Sequence, residues 1–461
     1  MLRRFECVKC SAKLLTDQLD GKCSSCGSRI LLENLARTPN IRDLERLPPG
    51  VWRFRAFLPE VESQSIVSLG EGGTPLLKAN RLGAQLGFED LLVKDETRNP
   101  TGSFIDRGLT VLVSLAAQEG LGKFFCTTTG NLGASLAAYS ARAGIEAVIR
   151  IHNNTDLGKL YQMIAYGASV ETVSRDQRSA VPSGAFPVSP VNPFILEGEK
   201  TTAFELFQDL GWEQPDAIIL PVGTGGHLTM AWRSIEQLQM AGLLEATNCR
   251  LLGVQLEPQK QPGEGDPRLT ELEELEPSLR EVAIQSMRSS GGRSIEVTAK
   301  EAVSATSLLA KTEGIFAEPA AASVVASLKT GKETGVLHPG DKIALIVTGA
   351  GLKDTKTIRK PPALSRRLAS AEQAEVRPLQ LGETKIRLMR ELGLHPAFGY
   401  DLWKALRRER KITTASIYQH LVELENASIV KRSQVARVAG RERVFYELTP
   451  RGKELLKAFD V

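Results

Sequence analysis

Short apolar runs alternate with amphipathic helical stretches through the segment from about 36 to 360. This alternation predicts β-α-β units, because two parallel strands need a crossover helix between them. The fold class is therefore α/β with largely parallel sheets. The expected strands lie at 91–94, 123–127, 147–151, 217–222, 251–255 and 343–348, and the expected helices include 109–119, 134–143 and 299–312.

Four glycine-containing loops stand next to these expected strands. They are GEGGTPL at 70–76, TTTGNLGAS at 127–135, PVGTGGHL at 221–228 and IVTGAGLKD at 346–354. A tight turn explains any one glycine loop. Loops at the carboxyl ends of parallel strands open onto one edge of a sheet, so four of them indicate one shared pocket. Glycines would also let the backbone approach a phosphate closely.

The stretch KDETRNPTGSFIDRG at 94–108 joins an expected strand to an expected helix, whose N-terminal amides suit an anion. Together with the glycine loops, NPFILEGEKTTAFEL at 192–206 and EGIFAEPAAAS at 313–323, it resembles threonine synthases. Those enzymes belong to the fold type II, or tryptophan-synthase-β, family of pyridoxal-phosphate enzymes. The resemblance covers nearly all of 36–360 and implies a core of two α/β subdomains.

The resemblance also implies residue roles by position. A glycine loop would hold the cofactor phosphate, an asparagine the ring hydroxyl, and a threonine the ring nitrogen, while a separate loop would bind the substrate carboxylate. A neutral hydroxyl at the ring nitrogen suits elimination and replacement chemistry rather than transamination. The residues are Gly223, Thr224, Gly225 and Gly226 for the phosphate, Asn131 for the hydroxyl, Thr348 for the nitrogen, and Thr128, Thr129 and Gly130 for the carboxylate.

One position departs from the family pattern. The family has a lysine between Phe and Asp-Arg-Gly that forms the Schiff base with the cofactor, and this chain has Ile105. Isoleucine has no amine to bind the cofactor covalently or to carry a proton. Ala350 also stands where threonine synthases usually have histidine, and Lys94 and Lys159, the alternative amines, match lysines that active members already carry. We therefore expect no Schiff-base chemistry, with pyridoxal phosphate bound non-covalently or absent.

Two CxxC pairs occupy the first 35 residues, with twelve residues between them. Each pair directs two thiolates to one point, so the two pairs complete a tetrahedral, structural Zn²⁺ site. A polar segment this short has no core of its own, and metal binding would supply its folding free energy. The alternative is four buried thiols without a metal. The proposed ligands are Cys7, Cys10, Cys23 and Cys26.

The last 80 residues, 382–461, differ in charge from the rest of the chain. They contain sixteen Lys and Arg against ten Asp and Glu, which is +6, whereas the whole chain is only +4. The preceding 361–380 is rich in Pro, Ala and charged residues and is expected to be a linker. Expected helices at 384–392, 400–408 and 414–425, two strands around 439–440 and a helix from Pro450 predict a winged helix-turn-helix over 381–461. The sequence of this segment resembles that of PadR-like regulators.

This resemblance implies binding to double-stranded DNA. Thr413 or Thr414 is expected to cap the recognition helix, and Ile417, Leu421 and Leu424 to pack inward. The concentrated positive charge favours DNA over the alternative, a winged helix used only for dimerisation. The residues expected to contact DNA are Ser416, Tyr418, Gln419 and His420 on the helix and Lys431, Arg432, Arg437, Arg441 and Arg443 on the wing.

The composition, 42% hydrophobic and 24% charged, is that of a globular protein. The chain shows no signal peptide and no apolar stretch that could span a bilayer, so we expect a cytoplasmic protein without a membrane partner. Three functions remain open: a ligand-sensing pseudoenzyme coupled to a DNA-binding domain, an active lyase converting O-phosphohomoserine to threonine, and a scaffold. The sensed ligand would be an amino acid or a phosphorylated metabolite. A homodimer is expected, since a palindromic operator needs two winged helices.

Overall fold

The computed structural model forms two compact units, Met1–Lys360 and Pro361–Val461. The structure describes residues 2–19, 21–34, 39, 41–128, 130–152, 155–173, 180–245, 248–257, 269, 272, 279–354, 383–407, 412–426, 429–438 and 441–457. The expected linker at 361–380 lies outside these residues.

The N-terminal residues form a three-stranded antiparallel ribbon. Its strands are β1 (Arg3–Cys7), β2 (Lys13–Thr16) and β3 (Ile30–Leu32), and β1 lies in the middle. Phe5 is fully buried, and its ring meets the Phe194 ring edge-on with the centroids 6.0 Å apart. The ribbon therefore packs onto the α/β core through an apolar contact.

Ten strands form the two sheets of the core. They are β4 (Leu76–Lys78), β5 (Asp90–Asp95), β6 (Lys123–Thr128), β7 (Glu146–His152), β8 (Ser169–Val173), β9 (Phe186–Pro187), β10 (Ala217–Pro221), β11 (Arg250–Leu256), β12 (Ser294–Val297) and β13 (Lys342–Val347). The larger sheet has the order β12-β11-β10-β13-β5-β4 and is parallel except for β4. The smaller sheet, β8-β7-β6-β9, is entirely parallel.

Eleven helices belong to the first unit within the described residues. They are α1 (Ile41–Arg46), α2 (Asn80–Leu86), α3 (Ile105–Gln118), α4 (Asn131–Ala143), α5 (Leu157–Ala165), α6 (Pro193–Glu199), α7 (Thr201–Asp209), α8 (Gly226–Met240), α9 (Arg280–Ser289), α10 (Ala299–Glu313) and α11 (Pro319–Glu333). Capping residues in the sequence determine where several of these helices begin. Asn192 caps α6 with Pro193 next to it, and Thr298 with Glu301 forms a capping box on α10.

All six strands expected from the sequence are present, and each end lies within one residue of its predicted position. The helices α3 and α4 were predicted to begin at 109 and 134, and both predicted starts are wrong: the helices begin four and three residues earlier. Gly108 and Gly133 resemble helix breakers in the sequence, yet both are helical. Tertiary packing requires them, because a Cβ on Gly108 would lie 2.5 Å from Ile195 and one on Gly133 2.8 Å from Met163.

The second unit contains four helices and a three-stranded sheet among its described residues. The helices are α12 (Glu383–Leu394), α13 (Gly399–Leu406), α14 (Thr414–Asn426) and α15 (Pro450–Lys457), and the strands are β14 (Ala397–Phe398), β15 (Val430–Val438) and β16 (Arg441–Leu448). The antiparallel hairpin of β15 and β16 is the wing, and β14 pairs with β16. This is the predicted winged-helix arrangement, although residues 439–440, where the turn was predicted, lie outside the described set.

Candidate functional site

A cavity of about 430 Å³ lies in the core unit, lined by residues from both sheets and their loops. Its volume lies within the range of small-molecule sites, roughly 300–1,000 Å³. Thr128 comes from the end of β6, Pro221 from the end of β10, and Thr348 directly follows β13. The predicted residues on its wall are Ile105, Thr128, Asn131, Gly223, Thr224, Gly225, Gly226 and Thr348.

Two predicted ligand-binding residues are not on this wall. Thr129 lies outside the described residues. Gly130 directly precedes α4, and the side chain of Lys159 packs against its Cα, so a Cβ there would collide. A shared pocket was predicted for all four glycine loops, and three of them line this cavity. The prediction is wrong for 70–76: no residue of that loop is on the wall, and the Gly73 N–H instead donates to the buried Glu205 carboxylate at 2.7 Å.

Ile105 is the first residue of α3 and lies half-buried on the cavity wall. The loop before it is held in place on both sides. The Phe104 N–H donates to the Thr348 carbonyl oxygen at 3.0 Å, and the Thr101 N–H donates to the Asp106 carboxylate at 2.7 Å. Position 105 is therefore fixed at the cavity, and an alkyl side chain occupies it.

The two alternative lysines are engaged elsewhere. Lys94 is fully buried, and its ammonium lies 2.7 Å from the Asp209 carboxylate and 3.1 Å from that of Glu205. The Lys159 ammonium lies 3.4 Å from the Glu318 carboxylate. Neither lysine lines the cavity, and no other lysine does so in the described part of the core.

The loop 223–226 connects β10 to α8 and is held from behind by the start of α9. Gly225 has φ of 84°, and a Cβ there would lie 2.8 Å from the backbone of Leu279. The Leu279 N–H donates to the Thr224 carbonyl oxygen at 2.6 Å, and Arg280 Nε donates to that of Gly223 at 2.9 Å. The first amides of α8 have no acceptor within the helix, so this loop suits an anionic group.

Asn131 contributes an unsatisfied polar atom beside the cavity. Its Nδ2 donates to Glu318 Oε1 at 2.8 Å, whereas its Oδ1 has no hydrogen-bond partner among the described residues. Both side chains are buried, so they fix each other's position. Buried polar atoms normally have a partner. The free amide oxygen can accept a hydrogen bond from a ligand hydroxyl.

The sequence interpretation missed Phe104, Glu199 and His227, which also line the cavity. The Phe104 and His227 rings stack with centroids 4.3 Å apart and planes 14° from parallel. Burial lowers the pKa of His227 to about 4 and raises the pKa of Glu199 well above its usual range. The position of His227 directly after the glycine loop was the signal that could have identified it, whereas Glu199 reaches the cavity only through packing.

A buried ionic network lies behind the cavity wall. Arg107 is fully buried, and its guanidinium lies 2.6 Å from the Glu96 carboxylate and 2.7 Å from that of Glu205. Burial alone would raise the pKa of Glu205, but the charges of Arg107 and Lys94 outweigh it and hold the pKa at about 2. The network therefore consists of buried charges that are each paired.

The four cysteines predicted as metal ligands meet at one point in the ribbon. Their Sγ atoms all lie within 4.8 Å of one another, with Cys7 and Cys26 3.5 Å apart and Cys10 and Cys23 3.7 Å apart. Four sulfurs around a tetrahedral Zn²⁺ at about 2.3 Å would be separated by roughly 3.8 Å. The cluster fits a zinc ribbon.

In the winged helix, α14 is the predicted recognition helix. Thr413 Oγ1 accepts from the Ser416 N–H at 3.2 Å and caps it. The residues predicted to pack inward, Ile417, Leu421 and Leu424, are fully buried. Of the residues predicted to face DNA, Tyr418 and Gln419 are exposed, while Ser416 and His420 are partly exposed and lie 3.4 Å apart (Oγ to Nε2).

The predicted basic residues of the wing lie on β15 and β16. Lys431 is paired with Glu447 at 2.9 Å and Arg432 with Glu425 at 3.0 Å, and all four side chains are partly or largely exposed. Arg443 is half-buried, with its Cζ 5.5 Å from the Phe398 ring centroid. Arg437 and Arg441 lie on the strands flanking the predicted turn, and their side chains lie outside the described set.

Two family models match this chain. Residues 67–349 match the pyridoxal-phosphate dependent enzyme model, and residues 388–458 match the transcriptional regulator PadR-like family. The chain belongs to the pyridoxal-phosphate dependent enzyme family, with the fold type II core predicted from its loops and a PadR-like winged helix following it.

Threonine synthases are among its relatives. The chain is 37% identical to threonine synthase of Methanocaldococcus jannaschii over 77% of this chain and 93% of the relative. It is 34% identical to threonine synthase of Methanosarcina acetivorans over 77% of this chain and 93% of that protein. It is also 35% identical to threonine synthase of Mycobacterium tuberculosis over 68% of this chain and 91% of that protein.

Solved structures share the fold at lower identity. The processed form of threonine deaminase isoform 2 from Solanum lycopersicum has a TM-score of 0.53 at 17% identity, covering 76% of this chain and 99% of that chain. Maize serine racemase has a TM-score of 0.50 at 20% identity, covering 65% of this chain and 93% of that chain.

No helix in the described ranges is long and apolar enough to cross a membrane.

Proposed function

We propose that the core is a ligand-sensing pseudoenzyme domain that regulates the DNA binding of the winged helix. The observation that carries this proposal is the cavity wall: Ile105 occupies the position of the family's lysine, and no lysine lines the cavity among the described residues. Without an amine there, the chain has no group at this position to bind pyridoxal phosphate covalently or to accept the α-proton of an amino acid.

The remaining wall residues fit a phosphorylated ligand, pyridoxal phosphate included. The amides of 223–226 would hold the phosphate, the free Oδ1 of Asn131 would accept from a ring hydroxyl, and Thr348 would lie at the ring nitrogen. Pyridoxal phosphate, when bound, supplies an electron sink for bonds at the α-carbon of an amino acid. Here the wall would bind and orient the ligand, and Ile105 would move no proton. The sensed ligand is an amino acid or a phosphorylated metabolite.

The threonine synthase relatives favour a second candidate function, an active lyase that converts O-phosphohomoserine to threonine. This function requires a lysine from another position to reach the cofactor. A spectrum of the purified protein with added pyridoxal phosphate distinguishes the two. We expect no visible absorption band that borohydride abolishes. A band trapped by borohydride on any lysine would overturn the pseudoenzyme proposal.

The proposed role of the winged helix is to bind duplex DNA as part of a homodimer. A ligand regulates DNA binding only if it prefers one of two arrangements of the protein. We expect salt-sensitive binding to duplex DNA in mobility-shift titrations of the full chain, and an amino acid or phosphate ester should change the affinity by about 5- to 150-fold. Arg443→Ala or Arg441→Ala should weaken binding to all sequences about equally. Failure to bind any duplex at low salt would leave the second unit as an assembly module.

The N-terminal ribbon is proposed to hold one structural Zn²⁺ per chain. Four thiolates without an open position leave no site for a substrate. Chelation should unfold the ribbon, because binding supplies its folding free energy, while the α/β core keeps its circular dichroism. Absence of stoichiometric metal after purification under reducing conditions would count against this assignment.

A further inference from the structure

One end of the cavity combines two titratable side chains that have no partners. His227 is the second residue of α8, immediately after the anion-binding loop 223–226, and it is 7% exposed. Neither of its ring nitrogens has a hydrogen-bond partner among the described residues. Glu199, at the end of α6, is 4% exposed and forms no hydrogen bond or ion pair within that set. Buried polar groups left this way need an explanation.

The two side chains meet at the same place. Both line the cavity, and both also line a void of about 10 Å³ behind it. Thr202 lines this void as well, and its Oγ1 has no partner among the described residues. The void has about the volume of one water molecule, which needs roughly 10–15 Å³. Among the described residues, His227 and Thr202 therefore present unpartnered polar atoms at this void, and the Glu199 carboxyl group lines it beside them.

Glu199 also lies beside the anion-binding loop. Its Oε2 lies 3.9 Å from the point where a Cβ on Gly226 would be. An ionised carboxylate at that place would repel an anion held by the α8 amides, whereas a neutral carboxyl group can donate a hydrogen bond to it. The protonation of Glu199 therefore determines whether this position opposes or supports anion binding.

His227 has the complementary property. A neutral imidazole offers one N–H, and an imidazolium offers two. A bound anion would accept a hydrogen bond from one N–H. The other N–H would donate to a water molecule in the void lined by Thr202 and Glu199. The other charged groups that act on His227 are Glu96 and Arg107, and these two are paired with each other at 2.6 Å. A bound anion would therefore be the unbalanced charge beside His227.

We propose that His227 and Glu199 are specificity residues that make anion binding at 223–226 dependent on protons. His227 takes up a proton when the anion binds, and neutral Glu199 donates a hydrogen bond to the same anion. The site thus selects a phosphate monoester or a similar oxyanion, and its affinity increases as pH falls. This inference rests on the proposed function, since it describes how the sensed ligand is recognised.

The direct test is the protonation of His227 with and without an anion. The full chain, labelled with ¹³Cε1-histidine, contains five histidines, and His227→Gln assigns the signal. Sulfate is the probe, because it keeps both charges throughout the titration, and sodium chloride at equal ionic strength is the reference. The pKa of His227 is expected to start near 4 and to rise on addition of sulfate by roughly 1 to 3, the effect of one close opposite charge.

Equilibrium dialysis with radiolabelled sulfate gives the second readout. Uptake of one proton should strengthen binding by up to about tenfold for each pH unit lowered. His227→Gln should remove most of this dependence, while His338→Gln, at an exposed position, should leave it unchanged. Glu199→Gln keeps a neutral donor and should preserve affinity at neutral pH, whereas Glu199→Ala should weaken it.

The outcomes separate this inference from the proposed function. If sulfate binds with an affinity that does not change with pH, and the pKa of His227 stays near 4, the proposed proton dependence is wrong. The assignment of 223–226 as the anion site would then still hold. If His227→Gln retains the wild-type pH profile, the assignment to His227 is wrong. If neither sulfate nor pyridoxal phosphate binds at any pH, the anion site fails together with the inference, and the core is not a phosphate sensor.

Discussion

The first turn of α3 presents two surfaces, the cavity wall at Ile105 and the buried network at Arg107, and they differ in chemistry. At Arg107 each charge has a partner within 3 Å, and removing one partner would leave another buried and alone. At Ile105 an alkyl side chain lines the cavity, and nearby the Asn131 Oδ1 and both ring nitrogens of His227 lack hydrogen-bond partners among the described residues. On the scaffold side the charges of Arg107, Glu96 and Glu205 are paired within the protein, whereas on the cavity side polar atoms of the described residues are available to a ligand.

The difference shows why the side chain at position 105 can change while the cavity keeps its shape. An amine at position 105 would contribute reactivity and little packing, whereas Arg107 connects α3 to α7 through Glu205 and to the segment directly after β5 through Glu96. Replacement of a buried charge in such a network costs far more than replacement of a side chain at a cavity surface. An isoleucine at 105 is therefore compatible with an intact fold.

The largest expected effect is on the scaffold side. Arg107→Met should lower the free energy of unfolding of the core by about 3–5 kcal/mol, since Glu96 would remain buried without a counter-ion and Glu205 would keep only Lys94, at 3.1 Å. The matched control is Lys329→Met, which removes an exposed pair with Glu333 and should cost less than about 1 kcal/mol. Urea unfolding followed by circular dichroism measures both, and equal losses would contradict the comparison.

The next effect concerns Asp106, which lies between the two surfaces. Burial raises its pKa from 3.8 to about 6, although hydrogen bonds from Ser135 and Thr101 act in the opposite direction. Between these two pH values the folded protein holds a proton that the unfolded chain has released, so this group's stabilising contribution is present below about pH 4 and is lost as pH rises through 6.

Asp106→Asn should remove that dependence. The difference in the free energy of unfolding between variant and wild type should change by about 2–3 kcal/mol from pH 4 to pH 7, in favour of the variant at the higher pH. Other carboxyl groups titrate equally in both proteins and cancel in the difference. A difference that stays constant with pH would show that Asp106 titrates normally.

A smaller effect is expected at the anion-binding loop on the cavity side. Gly225 and Gly242 both have positive φ, 84° and 70°, so alanine is strained at either position. A Cβ at Gly225 would also contact Leu279, whereas nothing lies within 4 Å of a Cβ at Gly242. Gly225→Ala should therefore lower the free energy of unfolding by about 1–3 kcal/mol more than Gly242→Ala does. Of the two variants, only Gly225→Ala should weaken sulfate binding. Equal sulfate affinities would exclude the loop as the anion site.

The smallest change in stability is expected from Ile105→Lys. The position is half-buried, so the variant should lose about 1 kcal/mol or less of apolar burial. It should nevertheless gain, with pyridoxal phosphate, a visible absorption band that borohydride abolishes. Ile105→Met supplies similar bulk without the amine and should gain no band. If the lysine variant also shows none, more than the amine is missing from the cavity side.

The sequence predicted those parts of the protein that depend on local pattern. Buried parallel strands are short continuous apolar runs, so all six expected strands were located within one residue. The cysteine spacing predicted the cluster for a similar reason, because each CxxC pair is a local turn. The starts of α3 and α4 were wrong because Gly108 and Gly133 resemble helix breakers in the sequence. Close packing against Ile195 and Met163, which leaves no room for a Cβ, explains the two glycines and is not visible in the local pattern.

The missing amine at position 105 was determined by the sequence alone, since the chemistry of a side chain requires no structure. Only the tertiary structure shows that both alternative lysines are ion-paired and lie off the cavity wall. The Lys94 ammonium pairs with Glu205 and Asp209, more than 100 residues later, and Lys159 pairs with Glu318. The lack of hydrogen-bond partners for the His227 ring within the described residues was likewise decided there, because it depends on packing among α6, α8 and their neighbours, which no local pattern records.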